Sequence, residues 1–391
     1  MLDVNEILTS SKKHFFLVGK NGSGKSALLR NLAEKVHELG YSTIAVSNTL
    51  FDKFSVHPES LNYDYIGSKL GRNFPTQAIK KTLSTESESR VSRIFSVLSH
   101  IGYDKQVGIK IRFKRKFKDA IRYSITRTGE FYPVYFDDSD LEIHDELKAA
   151  IDKAIHQINY GCSVLIWLKD SDNVFYESNF NSYLQLLKYE QLLKKARIIS
   201  GIDVILCKNG CEFPLTHASS GELSFISLLV HIAFCVNDRS LIFIDEPENS
   251  LHPKWQRDYF ELLKGAIGYN NCTTVIATHS PLIISTTSEH SKTAIYKRQN
   301  AGFHRVNSYD DNAEELYIDY FDTLTPKNRA LSNRCVDIID LLTEGKISLK
   351  KARQRLSRYF DMASDDAQKN FLIGVDTLLS KIETNKVVTR D

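Results

Sequence analysis

A short apolar run followed by a glycine-rich turn and a helix-forming run constrains this chain more than any other feature. Residues 14–18 are mostly apolar, and glycines follow at positions 19, 22 and 24. Apolar side chains then recur at helical spacing over residues 26–39, and Gly40 stands where a helix stop is expected. Residues 42–47 have the composition of a second strand. The pattern predicts strand, loop, helix and strand, the opening of an α/β domain.

The turn itself, GKNGSGKS, matches G-x-x-x-x-G-K-[ST] between a strand and a helix. Glycines let the backbone approach phosphates without Cβ clashes, and the amides at a helix N-terminus attract phosphate charge. We expect Lys25 to reach the β- and γ-phosphates of ATP and the Ser26 hydroxyl to bind Mg²⁺. The predicted nucleotide-binding residues are Gly19, Lys20, Asn21, Gly22, Ser23, Gly24, Lys25, Ser26 and Ala27.

Two further apolar runs end in residues suited to phosphate chemistry. Residues 241–244 precede Asp245, expected to hold Mg²⁺ opposite Ser26, and Glu246, expected to polarise the attacking water as general base. Residues 273–277 precede His279, which at a strand end could sense the γ-phosphate and orient the water. Solvated acids or a structural histidine would look the same in isolation, so each assignment depends on the preceding glycine-rich loop.

A small-residue turn, ASSGE, precedes a strongly apolar helical run. Ser219 or Ser220 is placed to cap this helix, and such a turn is also an anion site. Because the first loop already serves one γ-phosphate, we expect Ser219, Ser220, Gly221 and Glu222 to serve the nucleotide of a second subunit. A plain helix cap would give the same pattern.

The order of these motifs resembles that of the ABC ATPase superfamily. Residues 218–222 stand where the family has its LSGGQ signature, Asp245 and Glu246 match its Walker B acids, and His279 matches its switch histidine. DEPENSLHP followed by ATHSP resembles the SMC, RecF and OLD-type branch, which includes stand-alone ATPases of bacterial anti-phage systems, and residues 316–342 resemble the tail of such proteins. Asn48 is the candidate for the family's Q-loop position.

The resemblance implies a homodimer that sandwiches two ATP molecules with Mg²⁺. The predicted fold class is α/β: an ABC ATPase head, a P-loop NTPase, with a mixed helical and β insertion and a helical C-terminal region. The expected domains are residues 1–51 and 201–312 for the ATPase core, 52–200 for the insertion and 313–391 for the C-terminal region.

One basic stretch, KIRFKRKFK, is a candidate nucleic-acid-binding surface. As a strand it would place Lys110, Arg112, Lys114, Lys116 and Lys118 on one face. These residues could contact the phosphates of DNA or RNA. The alternative is an edge strand kept soluble by lysine.

The composition limits the remaining choices. A net charge of +3 over 391 residues does not by itself argue for nucleic acid, and six cysteines without a CxxC pair favour reduced thiols over a disulfide scaffold or a zinc site. The N-terminus lacks the features of a signal peptide, and the most apolar helical run is too short to cross a bilayer, so we expect a cytoplasmic protein without a membrane partner.

Three functions are compatible with these features. The favoured one is an ATPase subunit that regulates a separately encoded effector in anti-phage defence. The alternatives are a DNA-repair ATPase of RecF or SMC kind, and the ATPase of an ABC transporter. The last is disfavoured by DEPENSLHP and by the long mixed insertion.

Overall fold

The computed structural model describes residues 1–49, 52–57, 60–70, 74–84, 88–115, 150–151, 153–154, 163–169, 186–287, 291–299, 302–306, 313–324, 329–363 and 365–388. The strands are β1 (His14–Val18), β2 (Thr43–Ser47), β3 (Tyr63–Ile66), β4 (Gln106–Phe113), β5 (Ser163–Lys169), β6 (Ile199–Lys208), β7 (Cys211–Pro214), β8 (Leu241–Asp245), β9 (Thr273–Thr278), β10 (Thr293–Gln299) and β11 (Gly302–Val306).

The α-helices are α1 (Val4–Thr9), α2 (Lys25–Glu38), α3 (Phe74–Leu83), α4 (Glu88–Ile101), α5 (Glu190–Lys195), α6 (Ser220–Cys235), α7 (Pro253–Ile267), α8 (Pro281–Ser285), α9 (Ala313–Phe321), α10 (Arg329–Thr343), α11 (Leu349–Met362) and α12 (Asp366–Val388). The chain divides into two compact units, one formed by residues 1–32 and 274–391 and the other by residues 33–273.

In the first unit, β1 lies between two parallel neighbours. Val18 at its carboxyl end is in register with Thr278 of β9 and with Lys297 of β10, and β11 pairs antiparallel with β10. The side chains of residues 15–18 are fully buried, which explains the nearly continuous apolar run in β1. Helices α10, α11 and α12 pack around a separate apolar cluster that includes Leu331, Leu356 and Leu372.

In the second unit, β2 pairs parallel with β3 and β8, and Ser47 is in register with Asp245. A second sheet has the order β5-β4-β6-β7, and all its pairs are antiparallel. Helix α6 is buried along almost its whole length, in agreement with its apolar sequence.

The mixed α/β class is confirmed. The predicted strands at residues 14–18, 42–47, 241–244 and 273–277 are present with ends shifted by at most one residue. Strands β3, β7, β10 and β11 were not predicted. Much of the predicted insertion at residues 52–200, including residues 116–149 and 170–185, lies outside the described residues. The domain boundaries remain predictions.

Candidate active site

The glycine-rich loop follows β1 directly and ends where α2 begins. Gly19, Gly22 and Gly24 have φ values of +142°, +78° and +90°, conformations that side chains with a Cβ rarely adopt. A Cβ on Gly19 would lie 3.2 Å from Ser23 Oγ. This hydroxyl is buried and has no hydrogen-bond partner among the described residues. The loop therefore has the backbone of a phosphate cradle and a buried polar atom available to a ligand.

Lys25 is folded back into this loop. Its side chain is buried, and Nζ donates hydrogen bonds to the carbonyl oxygens of Gly19 at 2.7 Å and Lys20 at 3.1 Å. The ammonium group is thus held inside the cradle, where the charge of a bound phosphate would need compensation. This is the position that the sequence predicted for the phosphate-binding lysine.

A residue that the sequence analysis missed, Arg298, also contacts the loop. Its Nη1 donates to the Ser23 carbonyl oxygen at 3.2 Å, and a Cβ on Gly24 would lie 2.9 Å from the same nitrogen. The register of Val18 with Lys297 explains the contact, because Arg298 follows Lys297 as the loop follows Val18. No local sequence signal could have identified Arg298, since the contact depends on the pairing of β10 with β1.

His279 leaves the carboxyl end of β9, beside the start of the glycine-rich loop. Val18 of β1 and Thr278 of β9 are in register in parallel strands, so His279 and Gly19 emerge at the same sheet edge. The next backbone amide, that of Ser280, donates to Thr278 Oγ1 at 3.0 Å and fixes the turn. The predicted histidine and the predicted phosphate loop are therefore neighbours in the first unit.

The predicted Walker B acids stand at the end of a fully buried strand in the second unit. Asp245 is itself buried, with 3% of its surface exposed, and its carbonyl oxygen accepts from the Asn48 amide at 3.3 Å. Glu246 has φ +48°, an uncommon conformation for a residue with a side chain, and such conformations concentrate at functional sites. Ser26 and Asp245 offer the hard oxygen ligands that Mg²⁺ prefers.

A chain of side-chain hydrogen bonds orients Glu246. Asn249 Nδ2 donates to Glu246 Oε2 at 3.0 Å. The Asn249 carbonyl oxygen accepts from Asn48 Nδ2, and Asn48 Oδ1 accepts from Ser224 Oγ at 2.7 Å. The general-base candidate is therefore linked through two asparagines to helix α6. Sequence reasoning named Asn48 as the Q-loop candidate but did not identify Asn249 or Ser224.

The predicted signature residues form the start of α6. Ser219 is the N-cap: its Oγ accepts from the Glu222 amide at 3.2 Å, and the Glu222 carboxylate accepts from the Ser219 amide at 3.1 Å. Burial raises the pKa of Glu222, but hydrogen bonds from Ser219 and Lys208 outweigh it and leave the pKa below its ordinary value. Ser219 and Glu222 therefore already form a closed capping box, the arrangement that the alternative interpretation expected.

Gly221 is required by a close approach. A Cβ at this position would lie 2.2 Å from the carbonyl oxygen of Ser250, which has φ +64°. Only glycine lets the first turn of α6 pack against the loop that follows Asp245 and Glu246. The sequence predicted residues 219–222 as a motif, but it gave no sign of this contact.

The basic stretch lies partly within the described residues. Lys110 and Arg112 alternate along β4 with the buried side chains of Ile109, Ile111 and Phe113, as predicted, and Lys114 is exposed. Because β4 lies between β5 and β6, the edge-strand alternative is wrong. Lys116 and Lys118 lie outside the described residues.

Arg112 does not offer a free positive charge on this face. Its Nε and Nη2 approach the two carboxylate oxygens of Asp203 at 2.8 and 3.0 Å, a bidentate pair.

Among the described helices, none combines the length and apolar character needed to cross a membrane.

Comparisons with known proteins agree with a nucleotide-binding domain. Residues 110–285 match a family described as "AAA domain, putative AbiEii toxin, Type IV TA system". The chain is 22% identical to the "Retron Vc95 probable ATPase" of Vibrio cholerae serotype O1 biovar El Tor, over 73% of this chain and 69% of that protein. It is also 27% identical to "Protein ea59" of Escherichia phage lambda, over 30% of this chain and 24% of that protein. These similarities support a P-loop ATPase.

Proposed function

We propose that this chain hydrolyses ATP and that hydrolysis regulates a separately encoded effector in anti-phage defence. The observation that carries the ATPase assignment is the buried Lys25 ammonium inside a loop whose three glycines have positive φ. A loop of this kind followed by a helix binds the phosphates of a nucleotide. The assignment to defence is supported by two similarities. One is to the Retron Vc95 probable ATPase, and the other is to the family whose description includes "putative AbiEii toxin".

In the proposed reaction each of the predicted site residues has a distinct role on ATP. Lys25 and the loop amides hold the β- and γ-phosphates, and Ser26 and Asp245 would hold Mg²⁺. When bound, Mg²⁺ neutralises charge that develops on the phosphates. Glu246 accepts a proton from the attacking water. His279 orients the same water against the γ-phosphate. The order of the motifs along the chain supports this assignment.

Asn249 and Asn48 have positioning roles in this mechanism. The hydrogen bond from Asn249 to Glu246 holds the carboxylate in one orientation, in which it would accept the proton of the attacking water. Because Asn48 also binds Ser224 of α6, a displacement of that helix would be transmitted to the general base. The position of α6 would in this way set the rate of ATP hydrolysis.

We further propose that two copies form a dimer around two ATP molecules, with Ser219, Ser220, Gly221 and Glu222 completing the site of the other copy. Their capping box satisfies the helix start in the single chain. Dimerisation would therefore exchange part of this cap for the γ-phosphate of the partner's nucleotide. Such an exchange makes association depend on the triphosphate.

Substitutions at two residues test the ATPase proposal. Lys25→Ala should weaken ATP binding by about 100-fold or more, since it removes charge-assisted hydrogen bonds. Lys35→Ala, a lysine in the last turn of the same helix, is the matched control. Glu246→Gln should still bind ATP but hydrolyse it about 100-fold more slowly, and it should accumulate as dimer. ATP affinity unchanged by Lys25→Ala would overturn the assignment.

The biological role needs a separate experiment. The protein should be tagged at its native locus and purified, and the proteins recovered in stoichiometric amount should be identified by mass spectrometry. A nuclease, toxin or reverse transcriptase would support regulation of an effector. Recovery with DNA alone would favour the alternative, a RecF- or SMC-like repair ATPase acting on DNA directly.

A further inference from the structure

Three side chains with metal-binding atoms meet in the second unit, among residues that the proposed ATPase mechanism does not use. They are Asp64 of β3 and His231 and Cys235 of α6. His231 Nε2 lies 3.2 Å from Cys235 Sγ, and one ligand atom from each of the three residues lies within 4.8 Å of the others. No sequence motif marks this group, because Asp64 is far from the other two along the chain.

The fold brings these residues together in a simple way. His231 and Cys235 are four residues apart, so they share one face of α6. In β3, Tyr63 and Tyr65 are buried on one face, and Asp64 lies on the opposite face, as strand alternation requires. Helix α6 is otherwise strongly apolar, and a buried histidine in such a helix needs a polar partner.

We propose that Asp64, His231 and Cys235 bind a divalent transition metal, with zinc as the expected ion. Imidazole, thiolate and carboxylate are the usual zinc ligands in proteins, with metal–ligand distances of about 2.0–2.3 Å. In a tetrahedral shell these lengths separate the ligand atoms by about 3.3–3.7 Å. The 3.2 Å between His231 Nε2 and Cys235 Sγ is slightly shorter than this separation, and the Asp64 oxygen lies within 4.8 Å of both atoms, so small side-chain adjustments would bring the three ligand atoms to tetrahedral spacing.

The ligand types also decide between classes of metal. A thiolate favours zinc over Mg²⁺ or Ca²⁺, so this site differs in chemistry from the Mg²⁺ ligands Ser26 and Asp245. Binding would release the thiol proton of Cys235. The resulting thiolate and the Asp64 carboxylate would together balance the two positive charges of the ion. A fourth position remains for water or another donor.

The surroundings of His231 agree with a metal ligand. Burial lowers the pKa of His231 to about 4, an effect that Asp64 opposes and Lys81 reinforces. The imidazole is therefore neutral at physiological pH, the form that binds metals. The Lys81 ammonium lies over the Phe234 ring at 5.2 Å, and its positive charge will moderate the affinity for a cation.

The metal site would join two elements of the second unit. It ties the C-terminal half of α6 to β3, and β3 pairs with the strand that leads to Asn48. The ion would thus stiffen the helix whose first turn carries the signature residues. This inference does not depend on the proposed ATPase activity, since it concerns other residues and another metal.

The test uses the untagged full chain after removal of bound metal. Titration with Co²⁺, a spectroscopic substitute for zinc, should give a thiolate-to-cobalt charge-transfer band that saturates at about one equivalent, and added zinc should displace it. Cys235→Ser should abolish the band, and His231→Gln and Asp64→Asn should weaken zinc binding by at least about tenfold.

Two controls separate this site from other thiols and from the nucleotide site. Cys211→Ser removes an exposed cysteine in β7 and should leave the band unchanged. Asp245→Asn removes a predicted Mg²⁺ ligand and should also leave it unchanged. Absence of a charge-transfer band in the wild-type protein would overturn the proposal, whatever the variants do. A band that survives in folded Cys235→Ser would overturn it as well.

Discussion

Asn249 donates a hydrogen bond from Nδ2 to Oε2 of Glu246, at 3.0 Å. The donor lies three residues after the acceptor, in a loop where Glu246 and Ser250 both have positive φ. A backbone conformation that residues with side chains rarely adopt is therefore coupled to the orientation of one carboxylate. This coupling gives the first of four predictions.

Asn249→Ala should lower the kcat of ATP hydrolysis by about 10- to 100-fold, because a hydrogen bond to a charged group contributes about 1.5–3 kcal/mol. ATP affinity should change little, since the side chain contacts the base rather than a phosphate ligand. Steady-state turnover and nucleotide binding measure the two effects. Asn270→Ala removes a comparable side-chain hydrogen bond, to the Ile267 carbonyl oxygen, and should leave kcat unchanged. An unaltered kcat in Asn249→Ala would contradict the positioning role.

Gly221→Ala should destabilise the protein by about 1–3 kcal/mol or more, because the new Cβ would lie 2.2 Å from the Ser250 carbonyl oxygen. Gly265→Ala is the matched control in α7, where a Cβ meets no atom within 4 Å. That control should stabilise the protein by up to about 1 kcal/mol, because alanine has the higher helix propensity. Urea unfolding of both variants compares the two. Equal stabilities would show that the loop moves away at no cost.

Arg298→Ala should raise the Kd for ATP by about three- to tenfold, because a cation beside the phosphate loop is lost at an exposed position. The effect should be larger for ATP than for AMP, which carries fewer phosphate charges. Isothermal titration of both nucleotides tests this, with Arg305→Ala of the neighbouring β11 as control. An equal loss of affinity for AMP and for ATP would show that Arg298 has a structural role only.

Glu190 gives a prediction about pH. Its carboxylate pairs with Lys80 at 2.7 Å and Lys194 at 2.6 Å, and it accepts from the Ile202 amide at 3.1 Å. Burial raises the pKa of Glu190, but these partners outweigh it and leave the pKa below its ordinary value of 4.5. A lowered native pKa means that the stabilisation is fully present above the unfolded value. It is lost as the pH falls through the native value.

Glu190→Gln should therefore lower the free energy of unfolding by about 2 kcal/mol at neutral pH. The difference from wild type should shrink as the pH falls below 4.5 and through the lowered native value. Urea unfolding across this pH range provides the measurement. Glu261→Gln, which breaks an exposed pair with Lys264, should change stability by less than about 0.5 kcal/mol. A difference that does not depend on pH would contradict the ionic origin of the effect.

The sequence predicted those parts of the site that are contiguous along the chain. The phosphate loop needs glycines, a lysine and a helix start within eight residues, so its geometry is encoded locally. The predicted Walker B acids, Asp245 and Glu246, and the predicted switch histidine, His279, are also marked locally by the buried strands that precede them. The positive φ of Glu246 and the closed capping box of Ser219 could not be predicted from the local sequence, because both depend on neighbouring loops.

Contacts made by strand pairing were beyond sequence reasoning. Arg298 contacts Ser23 of the glycine-rich loop, 275 residues away in sequence, because β10 pairs with β1. Asp64 approaches His231 because β3, which was not predicted, pairs with β2. The alternation of the basic stretch was predicted correctly, whereas the pairing of Arg112 with Asp203 was not.

The two hydrogen bonds that Lys25 makes within its own loop have a consequence for nucleotide choice. A ligand oxygen that replaces the Gly19 or Lys20 carbonyl oxygen on Lys25 Nζ contributes only the difference in strength between the two hydrogen bonds. A nucleoside brings no charged oxygen to this position, and a monophosphate brings the oxygens of one phosphate only. A triphosphate brings several charged oxygens at once. We therefore expect the affinity of this loop for a nucleotide to rise with the number of phosphates, whichever base the nucleotide carries.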